Sequence, residues 1–234
     1  MTSETGLTTN ADRGARVVFF DLETTGLDPK RNRIIQFAGM AVNHETYEEV
    51  ETLEVKLKFD PLNRDYVDPG AIEGNCFKNY TAEEWDAIAV PPWKALALVH
   101  GFLERHKCLR CVSKKPPFRP YSVARMGGQN IITFDLPFLR EWYGARFCPV
   151  SHKALDTLQL AVWLEHLRHG VVDVELHLES IRKVHGIMCT YDDEGRPVLE
   201  GDAHDALVDL RATVLWAKKL DGMIRQAILD RGRP

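Results

Sequence analysis

Val17-Val18-Phe19-Phe20-Asp21-Leu22-Glu23-Thr24-Thr25-Gly26 decides the reading of this chain. Its first four residues are β-branched or aromatic, the types that favour a buried strand. Side chains two apart on a strand share a face, so Asp21 and Glu23 project together from the end of that strand. Thr24-Thr25-Gly26 then turns the backbone away. Two carboxylates side by side at an open turn suit a hard divalent cation such as Mg²⁺ or Mn²⁺, which takes oxygen ligands and keeps positions for water and phosphate. Two solvated acids at a strand end would read the same way, and the rest of the chain must decide.

Asn130-Ile131-Ile132-Thr133-Phe134-Asp135-Leu136-Pro137-Phe138-Leu139 holds one acid among apolar residues, with Phe134 and Phe138 at the spacing of one helical face. Asp135 is expected in a first helical turn, with Thr133 as an N-cap and Pro137 near the start. An acid there could equally serve only to complement the helix dipole. Near the C-terminus, Gly201-Asp202-Ala203-His204-Asp205-Ala206-Leu207-Val208-Asp209 leads into a final helix predicted to run to about residue 229. Five residues advance a helix about 140° past a full turn. His204 and Asp209 therefore do not share a face of one regular helix, and His204 is expected at the helix start, free to swing toward a site that Asp209 helps build.

The order Asp-x-Glu-Thr-Thr-Gly, Asn-x-x-x-Phe-Asp-x-x-Phe-Leu and His-x-Ala-x-x-Asp resembles the three motifs of the DEDDh 3′-to-5′ exonucleases, the superfamily of bacterial proofreading subunits. The resemblance runs from about residue 16 to 221. It is joined by Ala154-Leu155-Asp156-Thr157-Leu158, similar to the family's Asp-Thr-Leu segment, and by Leu178 to Ile187, similar to a helix ending in Gly-Ile. Two stretches depart from the family pattern. Gln129 stands where a His usually precedes the Asn, and Glu73-Gly74-Asn75-Cys76 replaces a His-Gly-Ile-like stretch that usually meets the terminal nucleotide.

The resemblance implies an α/β, ribonuclease H-like fold: a mixed five-stranded sheet flanked by helices. It implies hydrolysis at the 3′ end of a single-stranded nucleic acid, DNA favoured over RNA, releasing nucleoside 5′-monophosphates with two Mg²⁺ ions for which Mn²⁺ should substitute. Asp21, Glu23, Asp135 and Asp209 would be the metal ligands. Asp21, Glu23 and Asp209 would hold one ion, Asp21 would bridge to the second, Asp135 would support that second ion, and His204 would be the general base. Thr24, Thr25, Gly26 and Leu27 would contact the terminal nucleotide, with Phe134 packing on its sugar or base unless it belongs to the core. A polymerase or another replication or repair protein is an implied partner. The alternatives are an exoribonuclease or oligonucleotide degrader of the same family and, from another class, an inactive nucleic-acid-binding scaffold, for which an acid or the histidine should be missing; none is.

The chain has 234 residues and is 44% hydrophobic, enough for one sizeable core, and 15–230 reads as a single domain after a polar tail at 1–14. No membrane-spanning run or signal-peptide pattern is present, so no membrane association and a cytoplasmic location are expected. Five cysteines, an odd number, argue for free thiols in a reducing compartment. Cys108 and Cys111 form a CxxC that could join zinc with His100 or His106, but no second pair follows. The net charge of −4 argues against a broad charge-driven nucleic-acid binder while leaving room for an enzyme that grips a strand end. From Arg105 to Arg125 seven Lys or Arg residues occur without an acid, interleaved with Phe118 and Tyr121. That segment reads equally as a phosphate-contacting, base-stacking surface or as a solvated Pro-rich loop.

Strands are predicted near 16–21, 33–43 and 48–59 as an antiparallel meander, with another near 121–125 or 128–132. Helices are predicted near 81–106 (interrupted at Pro91-Pro92), 135–143, 153–168, 175–186 and 205–229.

Overall fold

The computed structural model describes residues 16–144, 146–169, 190–191, 197–198 and 204–231. The helix expected at 175–186, the Leu178 to Ile187 stretch and the N-terminal tail lie outside the described residues.

β1 (Arg16–Thr24), β2 (Ile34–Asn43) and β3 (Glu49–Lys56) form the expected meander. Short α1 (Pro69–Gly74) and a 3-10 turn at Cys76–Asn79 come next. The predicted 81–106 helix is two helices, α2 (Ala82–Ile88) and α3 (Pro92–Arg105). Thr81 and Glu84 close a capping box on the first, and Pro91-Pro92 starts the second, since proline is tolerated in a first turn and not in a helix interior. β4 (Lys107–Val112) and β5 (Pro120–Gly128) form a hairpin, followed by α4 (Asp135–Tyr143), β6 (Val150–Asp156) and α5 (Thr157–His169). A two-residue pair, β7 (Thr190–Tyr191) with β8 (Pro197–Val198), precedes the final helix, α6 (Ala206–Arg231).

The mixed sheet has six strands rather than five, in the order β3-β2-β1-β5-β4, with β6 also paired to β5. β5 runs parallel to β1, Val18 beside Met126, so both strands point their carboxyl ends the same way. Two of the six had no predicted counterpart: β4, inside the basic segment, and β6. Residues 153–156, predicted as helical, belong to β6, and the helix starts only at Thr157.

Alternation along β1 sorts its side chains between two cores. Val18, Phe20 and Leu22 pack with Phe102, Leu103, Leu136 and Leu139 of α3 and α4. Val17 and Phe19 pack with Ala206, Leu210 and Val214 of α6. Asp21 and Glu23 follow Val17 and Phe19 in this period, so β1 aims them toward the face that α6 covers.

Cys108 and Cys111 are free. His106 is held by Glu51 at 2.8 Å, and His100 faces the Tyr143 hydroxyl at 3.4 Å. The four do not form a zinc cluster; among the described residues the one group with metal-ligand spacing lies elsewhere.

Candidate metal centre and its cleft

Three separate segments meet at the carboxyl end of β1. β1 supplies Asp21 and Glu23, and its register with β2 shifts between Glu23 and Thr24, a bulge of the kind that re-aims side chains beside sites. α4 supplies Asp135 in its first turn as expected, buried at 3% exposure. Its cap residue is Phe134, not Thr133, and carries no side-chain capping bond; the Thr133 hydroxyl turns back to Asn130 instead. α6 supplies Asp209 in its first turn, with Asp205 capping the helix by accepting from the Leu207 and Val208 N–H groups at 3.0 and 3.4 Å. His204 is exposed, lies before the helix at φ +71°, and its backbone N–H donates to Asp209 Oδ2 at 3.1 Å. That agrees with a histidine at the helix start rather than on its face.

Glu23, His204 and Asp209 each present one ligand atom within 4.8 Å of the others. The acids are crowded. Burial first, then the charges of Asp135, Asp209, Glu23 and Asp205, hold the Asp21 carboxyl well above the usual carboxylate range. Burial, with Asp209, Asp205 and Asp135 adding repulsion, pushes Glu23 up to about 9. Burial pushes Asp135 up to about 8, against backbone N–H bonds, one of them from Leu22, that pull it down. One Asp135 oxygen, Oδ1, is buried without a hydrogen-bond partner. Carboxylates that repel one another, with a buried oxygen left over, are the donor set a divalent cation satisfies, so the residues present fit the expected ions.

The acids line a cleft of about 380 Å³, within the usual range for ligand sites. Of the residues expected at a terminal nucleotide, Thr24, Gly26, Leu27 and Phe134 line it, with Leu27 80% exposed. Phe134 also packs against the core, its ring 5.1 Å from that of Phe138. Thr25 does not line the cleft. Its side chain is fully buried, its hydroxyl donates to Tyr66 O at 2.5 Å, and its N–H donates to Arg33 O at 2.9 Å, so it has neither exposure nor a spare donor. A side chain on Gly26 would overlap Asp68 and Asn32, which is why the turn needs glycine there.

A further wall is made by Ala71, Gly74 and Asn75 of α1 and its end; Gly74 and Asn75 belong to the Glu73–Cys76 stretch already set against the family's nucleotide-contacting segment, but sequence reading placed no helix there. The signal was present: Asp68-Pro69 is an N-cap residue followed by proline at the first helical position. Asn75 is buried, accepting from Phe77 N–H at 2.9 Å and donating to Thr24 O at 3.3 Å, which ties this wall to β1. Gln129 and Asn130 line the cleft beside Asp135. Gln36, opposite Glu23 in the β1–β2 register, was also missed. Fully buried, it accepts from Ala206 N–H at 3.2 Å and donates to Glu54 at 2.9 Å, holding the start of α6 onto the sheet. A lone amide inside Ile34-Ile35-Gln36-Phe37-Ala38 was its signal.

The profile of the exonuclease family, RNase_T, matches residues 18–72, which include β1 and the α1 wall. The DNA polymerase III PolC-type protein of Mycoplasma pneumoniae is 30% identical over 151 residues, covering 64% of this chain and 8% of that protein. Among solved structures, the zinc-bound E. coli Exonuclease I complex with single-stranded DNA superposes with a TM-score of 0.61 at 20% identity, covering 93% of this chain and 42% of that one. Exonuclease I of Methylocaldum szegediense gives 0.56 at 20% identity over 91% of this chain and 40% of that one. The chain thus spans less than half of these relatives, and at such identities the structural likeness is one of fold. The resemblance to exonucleases therefore holds in the family's sequence pattern over residues 18–72, which contain the first acidic motif, and in the fold shared with the Exonuclease I structures.

Proposed function

We propose that the chain is a metal-dependent 3′-to-5′ exonuclease that releases nucleoside 5′-monophosphates from single-stranded DNA, with residues 15–230 as one catalytic domain. One observation carries the reading: Asp21, Glu23, Asp135, Asp209 and His204, drawn from three distant segments, line one cleft at the carboxyl end of β1. A structural role gives no reason to crowd four acids where burial and repulsion raise the pKa values of three of them, Asp21, Glu23 and Asp135.

Asp21, Glu23, Asp135 and Asp209 would hold two Mg²⁺ ions, which when bound supply an activated water and neutralise phosphate charge. Thr24, Gly26, Leu27 and Phe134 would orient the terminal nucleotide against the Ala71–Asn75 wall. Leu27 offers exposed apolar surface to a base, while the Thr24 hydroxyl is already committed to Gly26 O at 2.6 Å. His204, exposed at the rim, would take the proton from the attacking water, the general-base role that histidine most often fills. Its place before the helix leaves the ring free to approach while Asp209 anchors its backbone.

DNA as substrate and a replication or repair polymerase as partner draw support from the PolC-type relative. No described helix is long and apolar enough to cross a membrane, and a cytoplasmic location goes with this reading. The test is digestion of 5′-labelled and 3′-labelled DNA and RNA strands with and without Mg²⁺. Shortening of the 5′-labelled strand in single steps, with immediate release of the 3′ label, is expected only with metal and faster on DNA. Activity that survives excess chelator, or loss of the 5′ label first, overturns the proposal. Faster digestion of RNA would reassign the substrate to the exoribonuclease alternative.

A further inference from the structure

We propose that Asp156 is a positioning residue for the Asp135 carboxylate, an inference that rests on the metal-dependent reading above. Asp156 ends β6, is 3% exposed and does not line the cleft. Its carboxylate accepts four backbone N–H bonds. Oδ1 takes those of Leu158 and Gln159 at 3.0 and 3.3 Å, which caps α5, and that of Asn130 at 3.1 Å. Oδ2 takes that of Ile132 at 3.1 Å. A buried carboxylate is costly unless hydrogen-bonded, and bonds to an ionised acceptor are the strong ones.

The Asn130–Ile132 turn is where this matters. Asn130 has φ +56°, and Phe134 and Asp135 follow within five residues of it. α4 begins without a side-chain cap of its own, so it does not fix the direction from which the chain delivers Asp135. Asp156 does so from below, tying the turn to the sheet and to α5 at once. Beside it, buried Thr157 donates to Gly128 O at 3.2 Å and pairs with the Gln129 side chain, a second stitch on the same loop. With Asp156 shortened, the Asn130 and Ile132 N–H groups would lose their acceptor, and the turn would have to move to find another. The Asp135 oxygens would then lose their fixed aim at the metal, as when a partner behind a ligand is removed.

The competing role is that of an ordinary helix cap, and two substitutions separate them. Asp156→Ser keeps a good N-cap for α5 but is too short to reach the turn. Asp156→Asn keeps one acceptor oxygen and loses the other. Mn²⁺ binding is measured by titration calorimetry on the full chain, beside the thermal midpoint in chelator. Wild type should bind Mn²⁺. Asp156→Ser should raise its Kd by about tenfold or more, the range for partners behind a metal ligand, and lower the midpoint as well, because two backbone N–H groups lose their acceptor. Asp156→Asn should raise it less. Wild-type Kd in both variants, whatever the midpoint does, overturns the proposal; if Asp156→Ser does not fold, Asp156→Asn alone decides by the same criterion. Failure of wild type to bind Mn²⁺ at all is a separate result: it overturns the metal reading and this inference with it.

Discussion

At the carboxyl ends of β1 and β5 the acids are sunk into the fold, whereas at the amino end of β5 the cations stand in solvent. Nine-residue β5 separates the two ends, roughly 26 Å at about 3.3 Å per residue. Of the seven cations between Arg105 and Arg125, Arg105 binds Glu51 and Lys107 binds Glu104, while Arg110, Lys114, Lys115 and Arg119 are exposed at or beyond the hairpin. The difference teaches how far charge alone carries function. Buried like charges are costly until a cation joins them, so the acid cluster specifies its ligand; exposed cations are stable as they are, so the hairpin only permits one.

Removing a buried acid should separate the ends most sharply. Asp21→Asn and Asp209→Asn should each abolish nearly all nuclease activity while the far-ultraviolet spectrum and cooperative melting persist, because each would remove a proposed metal ligand and also relieves repulsion among the acids. Residual activity within tenfold of wild type in either variant would show that the cluster is not the catalytic centre.

His204→Ala comes next. Loss of a positioned general base should lower turnover by roughly 10² to 10⁴ fold. Mn²⁺ affinity should stay within a few fold, since the four carboxylates remain. Wild-type turnover across pH 6 to 9 would remove His204 from the mechanism.

The same contrast explains what the sequence could and could not tell. Asp135–Tyr143 agreed with prediction because Phe134 and Phe138 mark one face and the helix is local. The placement of His204 before α6 followed from helical geometry alone. β4 was obscured because its side chains alternate only weakly in burial and two of its six residues are cations. In β6 the buried positions are Val150, Ser151 and Asp156, two of them polar, so no apolar alternation marks the strand. Thr25 shows the limit at a site: whether a turn residue faces a cleft or the interior depends on distant groups, here Tyr66 and Arg33. The acids were legible from their ordered motifs; for the wall, Gln36 and Asp156 the sequence carried a local signal, but what each of them touches depends on tertiary contacts.

The buried acids should also make stability depend on pH and metal. Glu23 and Asp135 titrate at about 9 and about 8, raised from 4.5 and 3.8, so the folded protein holds protons that the unfolded chain releases. The stability they contribute is complete below the unfolded values and is lost as pH rises through the folded ones. In excess chelator the thermal midpoint should therefore fall between about pH 5 and pH 9 by several degrees, the size of an effect of a few kcal/mol. Saturating Mg²⁺ binds the ionised acids and should raise the midpoint most at the alkaline end. Asp21→Asn should flatten the slope in chelator. A midpoint in chelator that rises from pH 6 to 9 would contradict the crowding.

The smallest effect is expected at the hairpin, which tests whether the two ends ever act on one molecule. If a strand held by its 3′ end in the cleft also reaches the hairpin, it must extend far enough along the protein to span about 26 Å. Lys114→Glu with Lys115→Glu should then raise the apparent KM for long single strands severalfold, leave kcat unchanged, and lower the salt dependence by up to about two phosphate contacts. Dinucleotides, confined to the cleft, should be processed as by wild type. Mobility of the hairpin is no alternative explanation, because paired strands anchor it and the substituted side chains are exposed, so the variant should melt like wild type. A change in KM of equal size for long and short substrates, or no change for either, would mean that the two ends are unconnected, leaving the cations as a solvated surface.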